Sequence, residues 1–142
     1  MAWLTAQHPI GMPLEPVSRR FAPEMFAAGG AKTIHNDMEA ARREGLAGPI
    51  AVGPQIASLI FRMLRSAYGK GWIEGGIISI SFRRPTASDA FATAKGVVTG
   101  ITPEGEMVRI ACDVWVETED GKKTITGTAS GLVPADGETR NA

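Results

Sequence analysis

The sequence predicts an α+β fold in which an antiparallel sheet wraps around one long central helix. Two observations lead there. Residues 55–68 carry a broad apolar stripe at helical spacing, and from Gly76 to Pro134 the apolar residues recur at every second position instead. Successive strands joined by connections too short for a crossover pair antiparallel with their neighbours, and the apolar helix is what their inner face must cover.

The elements follow in order. Residues 1–23 contain Pro9, Pro13, Pro16 and Pro23, which exclude a continuous helix and favour extended chain around a core. Within it, Val17 to Phe21 reads as a short edge strand, where missing amide donors do no harm. Asp37 to Gly45 reads as a short helix. Asp37 accepts from the free amides of its first turn, Glu39 suits the positive end of its dipole, Arg42 and Arg43 suit the negative end, and Gly45 caps it. Gly48 to Pro54 is a turn that places Pro54 in the first turn of the main helix, Gln55 to Tyr68, which Gly69 stops. Ile56, Leu59, Ile60, Met63, Leu64 and Ala67 share one face of that helix. The strands come next: Ile78, Ile80 and Phe82 alternate with serines, Val108, Ile110, Cys112, Val114 and Val116 alternate with Arg109, Ala111, Asp113 and Trp115, and a last strand from Ile125 puts Gly127, Ala129 and Gly131 on one face. Turns are expected at 84–89, at Thr102-Pro103-Glu104-Gly105, and at Glu119-Asp120-Gly121, a tight hairpin signal. Side chains as small as those of Gly127, Ala129 and Gly131 place that strand beneath the helix or against a cavity. One domain is expected over residues 1–142, with a disordered tail at 135–142.

Composition excludes several classes. The 142 residues hold 15 Lys and Arg against 15 Asp and Glu, and no basic run exceeds two residues, so there is no electrostatic footprint for nucleic acid. No apolar stretch reaches the roughly 18 residues of a membrane span. A chain this long buries roughly 70% of its unfolded surface, enough for a core without disulfides or structural metal. Its one cysteine, Cys112, falls on an apolar face with Ile110 and Val114 and reads as an inert buried thiol. The start Met1-Ala2-Trp3-Leu4-Thr5 lacks the basic and long apolar regions of a secretory signal, so a cytoplasmic location is expected.

Two segments concentrate the chemistry: Thr33-Ile34-His35-Asn36-Asp37, and Gly45-Leu46-Ala47-Gly48-Pro49-Ile50-Ala51-Val52-Gly53. With Ser81-Phe82-Arg83-Arg84-Pro85-Thr86-Ala87-Ser88-Asp89, they make the sequence resemble the MaoC-like dehydratases, or (R)-specific enoyl-CoA hydratases, over about residues 10–134. The resemblance implies the hot-dog fold and a small-molecule acyl thioester substrate that gains or loses water at its 2,3 position. It implies no metal or redox cofactor, with coenzyme A entering only as part of the substrate. It also implies a homodimer, or an assembly of dimers, in which two sheets become continuous and the site lies between subunits.

The chain departs from the family pattern at two places. The family's hydratase motif sets an aspartate five residues before the histidine, with Asn-Pro between them. Here Gly30 holds the Asp position, Lys32 the Asn position and Thr33 the Pro position. The second motif ends Ala-His-Gly in the family and Ala51-Val52-Gly53 here. Hydrating a 2-enoyl thioester requires a base for water, an acid for C2 and a dipole for the enolate-like oxygen. His35 is the candidate base or acid, and the Gly53 amide is the candidate oxyanion donor at a helix start. Asp37 and Glu24 are the candidates for the missing carboxylate.

Gly30 and Val52, at the substituted motif positions, are counted with the substrate contacts. Trp72 and Trp115 are candidates for lining an acyl pocket, and Arg83, Arg84 and Lys95 for meeting carrier phosphates. Each residue also has a structural reading: His35 packs beside a helix start, Asp37 is a cap, Gly53 forms a turn, Trp72 is core, and the basic residues solvate a surface. Two other functions stay open on the residues. Gly30 suits a catalytically silent acyl-binding subunit paired with an active relative, and other hot-dog families hydrolyse thioesters with a carboxylate.

Overall fold

The structure, a computed structural model, describes residues 3–22 and 32–136. In chain order the elements are β1 (Val17–Arg20), α1 (Met38–Arg43), α2 (Gly53–Tyr68), α3 (Lys70–Gly75), β2 (Ile77–Phe82), β3 (Phe91–Glu104), β4 (Met107–Thr118) and β5 (Lys123–Pro134). The strands form one sheet in the order β1-β3-β4-β5-β2, with every pairing antiparallel.

The apolar stripe of α2 is buried as its spacing requires: Ile56, Leu59, Ile60, Met63, Leu64 and Ala67 are at most 1% exposed. The helix lies against β1, β3, β4 and β5. The strands answer with an inward row of Ala92, Ala94 and Val98 from β3, Ile110, Cys112, Val114 and Val116 from β4, and Ile125, Ala129 and Val133 from β5. Small residues set the approach. A Cβ on Gly131 would lie 2.7 Å from Tyr68 Cδ1, so only glycine lets the end of α2 sit this close to β5. Tyr68 satisfies its buried hydroxyl by donating to the Ile110 carbonyl at 2.6 Å. Burial pushes both the Tyr68 phenol and the Cys112 thiol up, which keeps the thiol protonated and inert.

Three features differ from the sequence expectation. Gly69 ends α2 at φ 62°, but the chain starts another helix at once, and α3 packs so tightly that a Cβ on Gly71 would collide with the Leu132 carbonyl. Pro103 lies within β3 and opposite Val108, because only the early part of β3, Phe91 to Ala94, has β1 on its other side. The first strand ends at Arg20, one residue early, and Phe21 is buried. The hairpin at Asp120-Gly121 forms as read: Gly121 has φ 80°, and Asp120 accepts from the Lys122 amide and the Thr118 hydroxyl.

The N-terminal segment is tied to the core at separate points, from the Leu4 amide to the Ala67 carbonyl, from Gly11 to Val98 and from Leu14 to Gly96. Residues 135–136 form a turn, and the remainder of the expected tail lies outside the described residues. Among the described residues, no helix is long and apolar enough to cross a membrane.

Candidate functional site

The N-terminal end of α2 is held between two turns. One is Thr33 to Asp37, where the Asn36 side chain accepts from the Thr33 amide at 2.8 Å, the Asp37 amide donates to the Thr33 carbonyl, and the His35 amide donates to the Thr33 hydroxyl. The other turn follows β2. Between them runs Pro49 to Val52, bonded on one side from the Ile50 amide to the Ile34 carbonyl. On the other side Ala51 donates to Thr86 at 2.7 Å and Ser88 donates to Pro49. Polar residues and prolines give this region its shape, and backbone bonds fix it.

His35 is clamped by the same segment. Its Nδ1 lies 2.9 Å from the Ile50 carbonyl oxygen. A carbonyl only accepts, so Nδ1 carries the proton, and in the neutral ring Nε2 keeps the lone pair. The ring therefore has a defined base nitrogen.

The start of α2 offers a donor in the amide of Gly53, a residue that lines a cavity. Val52 is the N-cap residue and its side chain makes no capping bond. Pro54 has no N–H, and the amides of Gln55 and Ile56 both donate to the Val52 carbonyl. The Gly53 N–H is left without an acceptor among the described residues, at the positive end of a 16-residue helix.

His35 and Gly53 line one cavity of about 360 Å³. Ile50, Ile56, Phe82 and Ile125 supply its apolar wall, and Arg83, Arg84, Pro85 and Thr86 complete it. Arg83 donates from Nε to the Thr126 hydroxyl at 2.8 Å. Neither Arg83 nor Arg84 forms an ion pair among the described residues, and Arg84 also borders a second hollow of about 380 Å³ with Lys122 and Asp120. No described carboxylate lines this His35 cavity, and among the described residues no cluster of His, Cys, Asp and Glu has the arrangement to hold a metal ion.

The other candidates lie elsewhere. Asp37 caps α1, with its carboxylate 2.9 Å from the Ala40 amide, and does not line the cavity. Val52 stands at the helix start but outside the lining. Trp72 stacks on Tyr68, with ring centroids 6.1 Å apart, at the opposite end of α2. Sixteen residues at about 1.5 Å of rise separate it from the cavity by most of the helix length. Lys95 is on the sheet, paired with Glu117 at 3.1 Å. Gly30 and Glu24 lie outside the described residues.

Sequence reasoning missed Thr86. It is only 6% exposed, it lines the cavity, and its hydroxyl has no hydrogen-bond partner among the described residues. The signal was a hydroxyl-bearing residue inside Arg84-Pro85-Thr86-Ala87, a stretch that reads as an exposed turn until the Ala51 contact buries it.

No family model and no curated protein matches the chain. Solved structures do. A MaoC-like dehydratase from Rhodospirillum rubrum superposes with a TM-score of 0.73 at 22% identity, covering 92% of this chain and 97% of that one. An (R)-hydratase from A. caviae involved in PHA biosynthesis gives 0.69 at 24%, covering 90% and 98%. The ChsH1-ChsH2 complex from Mycobacterium tuberculosis gives 0.65 at 18%, covering 89% and 98%. These likenesses span nearly the whole of each chain, and with the antiparallel sheet around α2 they establish that this chain has the hot-dog fold of the MaoC-like dehydratases and (R)-hydratases.

Proposed function

We propose that the chain adds water to, or removes it from, the 2,3 position of an acyl thioester. One observation carries the reading: a histidine with a defined base nitrogen shares an apolar-walled cavity with the free amide at the start of α2. The acyl group lies against Ile56, Phe82 and Ile125, and the thioester oxygen accepts from the Gly53 N–H. As the water oxygen bonds C3, its proton passes to His35 Nε2, and the electrons of the double bond move toward the thioester oxygen. The protonated ring then gives its proton to C2. One O–H bond has broken, one C–O and one C–H bond have formed, and His35 is again neutral. Dehydration runs the same steps backward.

Arg83 and Arg84, unpaired by any described carboxylate, favour an anionic carrier such as coenzyme A, which enters as part of the substrate. The reaction consumes only thioester and water. A homodimer completes the reading: β2 ends the sheet, and its Ile77 and Phe82 are 60% and 58% exposed.

The test is hydration of crotonyl-CoA and of longer and aromatic enoyl-CoAs, followed by loss of the conjugated thioester absorbance. Turnover is expected in the wild type and a fall of at least about 100-fold in His35→Ala. Full activity in His35→Ala would refute the mechanism. Silence of the wild type on every enoyl-CoA would favour the second reading, an acyl-binding subunit paired with an active relative. Two findings favour that alternative: no described carboxylate lines the cavity, and one structure of the same fold is a complex of two different proteins.

A further inference from the structure

We propose that the Thr86 hydroxyl holds the attacking water together with His35, an inference that rests on the hydration reading for its chemical step. Thr86 belongs to the turn after β2 and is 51 residues from His35 in sequence, yet adjacent residues anchor the two. The Ala51 amide donates to the Thr86 carbonyl, and the preceding carbonyl, that of Ile50, accepts from His35 Nδ1. Both residues line the same cavity.

The two carbonyls of this tie are already engaged. The Ile50 carbonyl serves His35, the Thr86 carbonyl serves Ala51, and no described carboxylate lines the space. The Thr86 Oγ1 is a neutral oxygen acceptor beside that tie, in a residue only 6% exposed. That hydroxyl makes no hydrogen bond within the described residues and is not among the enclosed polar atoms, so it is open to water where the cavity has room. The cavity, at about 360 Å³, far exceeds the ~30 Å³ share of one water.

The division of labour follows from the available lone pairs. His35 Nε2 accepts one water hydrogen, the one that is transferred, and Thr86 Oγ1 accepts the other, which stays with the oxygen. With both hydrogens held, the water's own lone pairs face C3. Orientation is the task usually given to a carboxylate, and it requires an acceptor but no charge. A site built this way uses one titrating group, His35, for both proton transfers.

Two variants and one crystal structure test this. Thr86→Val keeps the shape and removes the oxygen, while Thr86→Ser keeps the oxygen. With crotonyl-CoA, kcat is expected to fall roughly 10- to 100-fold in Thr86→Val with KM little changed, and to recover to within a few-fold of wild type in Thr86→Ser. A merely structural role would instead lower the unfolding temperature and leave kcat per folded molecule intact. A crystal structure of the wild-type protein is expected to place an ordered water within hydrogen-bond reach of both Thr86 Oγ1 and His35 Nε2, and Thr86→Val is expected to lose it. Unchanged kcat in Thr86→Val, or the lack of that shared water in the wild type, would overturn the proposal. If the wild type hydrates no enoyl-CoA, the hydration reading fails by itself, and the water's presence or absence decides the role of Thr86.

Discussion

Asp37 and His35 are two residues apart, and the structure gives them unrelated tasks. The Asp37 carboxylate accepts from the Ala40 amide and closes the first turn of α1, while the His35 ring is turned to Ile50. Asp37→Ala is therefore expected to lower the unfolding free energy by about 1 kcal/mol, as loss of an N-cap does. Chemical denaturation measures it, and a variant with wild-type stability but no turnover would return Asp37 to the chemistry. The cap was legible in the sequence, because Asp37 stands before a short run ending in Arg42, Arg43 and Gly45. The tautomer of His35 was not: it depends on a carbonyl 15 residues away, and no local pattern records which backbone oxygen a ring nitrogen will meet.

Periodicity made most of the elements readable. The central helix and the strands at Ile78, Val108 and Ile125 came from spacings of 3.6 and 2, which survive in sequence because each element buries one face against the same core. Helix α3 escaped because six residues, Lys-Gly-Trp-Ile-Glu-Gly, are too few to show a period and contain two glycines. It exists through packing on β5, where Gly71 meets the backbone of Leu132. The same dependence on close contact makes the α2 to β5 interface sensitive. Gly131→Val places methyl groups where Tyr68 already lies, with the first added carbon 2.7 Å from the ring, and is expected to cost about 1–3 kcal/mol of stability. A lower denaturation midpoint with an unchanged slope would bear this out, and an unchanged midpoint would show that Tyr68 can move aside.

For the whole molecule, the two ends of the sheet are unequal. Strand β1 has four residues, follows Pro16 and exposes Arg19 and Arg20, features that discourage strand addition. Strand β2 has six residues, uncharged throughout, with exposed Ile77 at one end and Phe82 at the other. If β2 is the dimer seam, light scattering will give the wild type a mass of twice 15.0 kDa, and Ile77→Lys will shift it toward 15.0 kDa. A wild type of single-chain mass would remove the homodimer from the reading.

The candidate site was half legible at this scale. His35 and Gly53 could be named from two short motifs, whereas Thr86 could not, because its place depends on three stretches of chain that meet only after the sheet has closed around α2. That meeting has a dynamic consequence. The base, the amide donor and the hydroxyl are all referred to one stretch of backbone, Ile50 to Gly53, through the Ile50 carbonyl, the Ala51 amide and Gly53 itself. Thermal displacement of that stretch carries all three in the same direction, so the distances among them fluctuate less than the position of the group as a whole. Their errors are correlated, and the geometry that matters to a water molecule is preserved while the wall around it breathes.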